Sequence, residues 1–131
     1  MQIIARKFLK IHGILLTLLG VVFAIVTTIG RLIGRGPFAF LQQNEQASVG
    51  LFEAYLLIAV CGVILLFGAT QVYTPKWNRI AALVHIPLVT TNLLYWDFYA
   101  QVGMQTIGIV STVMHFVLII VECFFGFKKK D

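Results

Sequence analysis

Four side chains in the last half of the chain carry its most informative chemistry. His85 and Asn92 stand seven residues apart, and so do His115 and Glu122. Seven residues is nearly two helical turns, so each pair shares one face of its own helix. On antiparallel neighbours, residues at equal depth have a constant index sum. His85 with Glu122 sums to 207, and Asn92 with His115 sums to 207 again. The spacing predicts a two-rung polar ladder between two adjacent helices.

Three kinds of chemistry suit such a ladder. Inside a bilayer, hydrogen bonds between helices average about 0.6 kcal/mol and fix register, which makes the ladder structural glue. Histidine beside a buried carboxylate also accepts protons near neutrality, as a proton-coupled small transporter using His85 and Glu122 would require. His12 adds a third use. It falls near the depth expected for His85 and Glu122, and two histidines with a carboxylate could ligate a divalent metal. His12 and His85 also fall on helices of the same direction, diagonal partners in a square bundle, where they could hold haem b with His115 as a substitute ligand.

The elements that position these groups follow from composition. Of 131 residues, 60% are hydrophobic and 11% charged, and the mean hydropathy is +0.94. A soluble domain of this size needs far more polar surface, so the chain reads as an integral membrane protein. Four apolar stretches, about 8–29, 51–73, 80–99 and 106–127, are each long enough to cross the hydrocarbon. Their lack of period-2 alternation means helices and not a barrel. The expected fold is all-α, a single transmembrane domain over 1–131: an up-down-up-down four-helix bundle with an outer loop at 31–49.

Orientation follows from the basic residues. With both termini cytoplasmic, Arg6, Lys7, Lys10, Lys76, Arg79, Lys128, Lys129 and Lys130 lie inside, and only Arg31 and Arg35 outside. That is the positive-inside pattern. The basic ends suit anionic headgroups, and the scattering of charge around spans argues against nucleic acid. Span one is too long for a secretory h-region and lacks a small-x-small cleavage site, so it reads as an anchor. A bacterial-type plasma membrane is the expected home.

Aromatic residues mark the boundaries, Tyr73 and Trp77 on the inner side, Tyr55, Tyr95, Trp96 and Tyr99 on the outer. Phe38, Phe40 and Leu41, after Pro37, suggest a short helix in the outer interface, or a lid over an outward-facing cavity. Arg31 and Arg35 are expected to pair with Glu53 and Asp97 in an outer ion-pair cluster. Glu53 and Gln71, five turns apart, could both face the interior. Gly13, Gly20, Ala24, Gly62, Gly68 and Gly108 offer close-approach surfaces. Pro87, two residues after His85, removes one backbone bond of its helix.

Neither Cys61 nor Cys123 belongs to a C-x-x-C pair, and both read as small buried apolar residues. No nucleophile elbow, zinc-protease, P-loop or dinucleotide motif occurs. The functional expectation is therefore a small non-catalytic accessory or assembly subunit, or a module holding a lipophilic ligand, working within a larger membrane complex or a homo-oligomer. The haem or metal protein and the proton-coupled carrier stand as the alternatives.

Overall fold

The computed structural model describes residues 1–128, so Lys129 and Lys130 of the expected inner cluster lie outside the described residues. Among those described there are helices and no strand: α1 (Gln2–Ile33), a 3-10 turn (Ala39–Gln43), α2 (Glu45–Thr70), α3 (Lys76–Leu94), α4 (Trp96–Gln101) and α5 (Gln105–Phe127). Three of them, α1, α2 and α5, are long and apolar enough to cross a membrane. The third expected span takes a different form. α3 stops at Leu94 and the chain turns into the separate, short α4, while Lys76, Asn78, Arg79, His85 and Asn92 dilute the apolar character of α3.

Burial runs opposite to a soluble domain. The stripe that α5 buries is Gly108, Thr112, His115, Leu118, Glu122 and Gly126, and α3 buries Asn78, Ala81, Ala82, His85, Val89 and Asn92. Outward on α5 stand Val110, Val113, Phe116, Val117, Ile120 and Phe124. Large apolar groups facing out over a small and polar inner stripe are what hydrocarbon solvation favours, since lipid gives apolar side chains no reason to hide.

Backbone contacts group the chain into two units, residues 10–67 and residues 1–9 with the chain from Gly68 onward. In the first, α1 and α2 touch backbone to backbone. A Cβ added at Gly13 would lie 2.8 Å from the Gly62 carbonyl oxygen, and one at Gly20 would lie 2.6 Å from Ala59 N and Tyr55 O. Small residues permit this approach, and dispersion rewards it. α1 ends at Gly34, whose φ of 66° is the left-handed stop that glycine adopts without strain. The returning chain is pinned by Phe38 and Leu41, both buried. Phe38 packs edge-on against Phe23 and Tyr55, and those two rings stack at 5.2 Å. The connection, expected over 31–49, is shortened by extra turns on both flanking helices. Its residues Phe38 and Leu41 fasten it to the unit's core.

The second unit is closed by arginines at helix C-termini. Arg6 Nε donates to the Ala69 carbonyl at 2.6 Å, and Arg79 Nε to the Gly126 carbonyl at 2.8 Å. Each places a cation on the negative end of a helix, α2 and α5 respectively, and fills a carbonyl the helix leaves unpaired. The Arg79 guanidinium also lies 4.8 Å from the Phe127 ring centroid. At the other end, Gly103 (φ 69°) ends α4. Met104 N–H donates to Tyr99 O at 2.7 Å and Gly103 N–H to Ala100 O at 3.2 Å, the double bond of a Schellman stop. This stop turns the chain back, and α3 and α4 pack against α5.

Candidate functional site: the polar seam between α3 and α5

The α3–α5 hairpin gathers the polar side chains of the second unit. Asn78, His85 and Glu122 are completely buried, and Asn92, Thr112 and His115 nearly so. On α3, Asn78, His85 and Asn92 recur every seven residues, and Tyr99 of α4 continues the series. On α5, Gly108, His115 and Glu122 recur at the same interval. A seven-residue repeat keeps one face toward its neighbour over several turns, so the two lines meet along the whole hairpin.

The seam has two networks. Near the N-terminal end of α3 Tyr73 donates its hydroxyl to Asn78 Oδ1 at 2.7 Å, and Asn78 Nδ2 donates to Glu122 Oε2 at 2.5 Å. Farther along, Tyr99 donates to Asn92 Oδ1 at 2.7 Å, and Asn92 Nδ2 donates to Ser111 Oγ at 3.1 Å. Ser111 Oγ lies 3.3 Å from His115 Nε2, and His115 Nδ1 faces His85 Nδ1 at 2.8 Å. The two imidazoles tilt at 36° with centroids 5.0 Å apart. Gly108 makes room for this second network, because a Cβ there would lie 2.8 Å from the Tyr99 ring.

Both end tyrosines lie in the connections, outside the long helices. Burial, and then the nearby Glu122 charge, raise the Tyr73 phenol above its ordinary value of 10.0. Burial alone raises Tyr99. Each therefore stays protonated and serves as a donor at neutral pH.

The four ladder residues share the seam, but with other partners than the sum of 207 implies. His85 meets His115 instead of Glu122, Glu122 takes Asn78, and Asn92 reaches His115 through Ser111. The cause is the hinge. α3 ends at Leu94 and α5 begins at Gln105, indices that add to 199, and the His85–His115 and Asn78–Glu122 pairs each sum to 200. Extending the third helix to residue 99 moved the hairpin's midpoint too far along the chain. Because the discrepancy is one seven-residue step, the faces survive while the partners change. Asn78, Ser111, Tyr73 and Tyr99 went unnoticed as seam residues, although the 78–85–92–99 series was there to extend.

The other site residues are dispersed. Arg31 pairs with Glu45 at 2.6 Å instead of with Glu53. The pair joins the last turn of α1 to the first turn of α2, where both charges also suit their helix dipoles. Arg35, Glu53 and Asp97 are exposed. Gln71, beyond the end of α2, is exposed too, so the Glu53–Gln71 pair does not line an interior. His12 is buried on α1, in the other unit. No group of three or more His, Cys, Asp or Glu side chains that could hold a metal ion occurs among the described residues. The Nδ1 atoms of His85 and His115 are engaged with each other, and haem ligation would have to leave that bond intact or break it. Cys61 and Cys123 are half-buried free thiols.

No protein-family model matches this chain, and no curated protein or solved structure matches it either.

Proposed function

We propose that the chain is a four-span membrane protein, α3 crossing as the companion of α5 in addition to α1 and α2, with both termini cytoplasmic. The excess of Arg6, Lys7, Lys10, Lys76, Arg79 and Lys128 over Arg31 and Arg35 supports this orientation. A bacterial-type plasma membrane, with anionic headgroups at the basic face, is its proposed setting.

Within that membrane it serves as a non-catalytic module, an accessory or assembly subunit or a holder of a lipophilic ligand. The observation that supports this reading is the seam itself. Tyr73, Asn78 and Glu122 bond one another, as do Tyr99, Asn92 and Ser111, which fixes register between two helices and offers a rigid surface to a neighbour. Gentle detergent extraction followed by intact-complex mass measurement and an absorption spectrum tests it. A stoichiometric partner or a bound lipophile is expected. A bare monomer with a Soret band lost in His85→Ala would replace this reading with the haem alternative.

A further inference from the structure

Glu53 lies more than two turns inside α2, exposed, with no ion pair or side-chain hydrogen bond among the described residues. Its depth follows from α1. The contacts of Gly20 with Tyr55 and Ala59, and of Gly13 with Gly62 and Leu66, have index sums of 75 and 79. Antiparallel helices keep such a sum, which puts Glu53 opposite residues 22–26 of α1. That helix carries no Lys, Arg, Asp or Glu from Ile11 to Gly30. Glu53 is therefore roughly 6–12 Å inside the uncharged stretch, at ~1.5 Å per residue.

Its neighbours Phe52, Leu56, Leu57 and Val60 are exposed and apolar. A carboxyl with no partner at that depth is costly in hydrocarbon, and such groups pair with one another or face a protein interior. The interior of its own unit is on the other side of the helix. α2 meets α1 through Tyr55, Ala59, Gly62 and Leu66. At 100° per residue, Glu53, Leu57, Val60 and Ile64 lie on the opposite face, stepping by four, three and four residues as a helix–helix seam does.

We propose that this face of α2 is the interface between two copies of the chain, with the two Glu53 carboxyls hydrogen-bonded to each other across a twofold axis. The proposal deepens the module reading by naming a partner, and rests on that reading for its membrane setting. Copies of one chain insert in one orientation, so a second copy presents α2 parallel and at the same depth. In a parallel pair each seam residue meets its own counterpart. A carboxyl that carries its proton both donates and accepts, so two facing carboxyls satisfy each other without a third group. The nearest arginine of the same unit, Arg31, is already committed to Glu45. Leu57, Val60 and Ile64 add dispersion contact along the rest of the seam.

The purified full chain in phosphatidylethanolamine–phosphatidylglycerol vesicles provides the test, with subunits counted by single-molecule photobleaching over a range of protein-to-lipid ratios. A dimer is expected. Glu53→Ala should raise its dissociation constant about tenfold, as loss of an interhelical hydrogen bond in lipid does. Glu53→Gln keeps a donor and an acceptor and should stay near wild type. Glu53 bonds nothing in its own chain, so neither variant disturbs the fold. With Cys61 and Cys123 replaced by Ser, Leu57→Cys should form an intermolecular disulfide under mild oxidation. Ile25→Cys, exposed at the same depth on α1, should not. Single copies throughout the range would overturn the dimer and leave the module reading to its own mass measurement. Undiminished association of Glu53→Ala would overturn it as well, as would crosslinking at residue 25 as efficient as at residue 57.

Discussion

Nδ1 of His85 and Nδ1 of His115 face each other at 2.8 Å across the α3–α5 interface, both rings buried. One hydrogen must serve two nitrogens, so neither ring is independent of the other. Losing one partner leaves a desolvated nitrogen behind, which costs about 1–3 kcal/mol. His85→Leu and His115→Leu should each lower stability in detergent by that order. The double variant should lie closer to wild type than the sum of the two, since the one Nδ1–Nδ1 bond they share is then lost only once. Additive losses in a double-mutant cycle would show that the rings act separately.

The α1–α2 contact makes a contrasting pair of glycine predictions. At Gly20 a Cβ would meet Ala59 N and Tyr55 O at 2.6 Å, whereas at Gly50 of α2 it would meet nothing within 4 Å. Gly20→Ala therefore forces two backbones apart and should cost about 1–3 kcal/mol. Gly50→Ala gains helix propensity alone and should be neutral or stabilising, by up to about 1 kcal/mol. Thermal melting of the two variants side by side checks both.

Tyrosine supplies the pH dependence. The Tyr73 and Tyr99 phenols titrate above the ordinary value of 10.0. A raised folded value means the neutral form is favoured by the fold. Its stabilisation is complete below pH ~10 and is lost as pH climbs through the raised values. Alkaline difference absorbance should show a late-titrating fraction that disappears in Tyr73→Phe/Tyr99→Phe. Tyr99→Phe alone should also cost about 1 kcal/mol at neutral pH, because Asn92 Oδ1 loses its donor.

Arg31 and Glu45 form a close pair at 2.6 Å, but their side chains are 39% and 77% exposed. Exposed pairs contribute about 0–1 kcal/mol and less in salt. Arg31→Ala should therefore shift melting little, and the shift should shrink further at high ionic strength. A large salt-independent loss would mean that the arginine stem, not its charge, holds the α1–α2 connection.

The helices, their apolar outer faces and the shared polar face of His85 with Asn92 were all legible from spacing and composition. These depend on the period of the chain, which the sequence carries locally. The partners across the seam were not legible, because they depend on where one hairpin turns. A shift of the α3 end from residue 99 to Leu94 was enough to exchange Glu122 for His115 opposite His85. Arg31 was misassigned for a similar reason. Extra turns on α1 and α2 bring Glu45 to it, and a residue placed mid-loop by composition became a helix start. The close contacts at Gly13 and Gly20 were foreseen as surfaces, though which α2 atoms they meet required coordinates.

The modest hydropathy of α3 bears on how the chain is made. Asn78, His85 and Asn92 leave the ribosome before His115 and Glu122 have been synthesised. On the proposed four-span reading, that segment waits without Glu122 and His115, the α5 partners of Asn78 and His85, and hydrocarbon disfavours it. If α3 crosses as proposed, the economical route into the bilayer is for α3 and α5 to partition together as a preassembled hairpin. Biogenesis would then depend on the turn at Gly103 forming before either helix commits to the lipid phase.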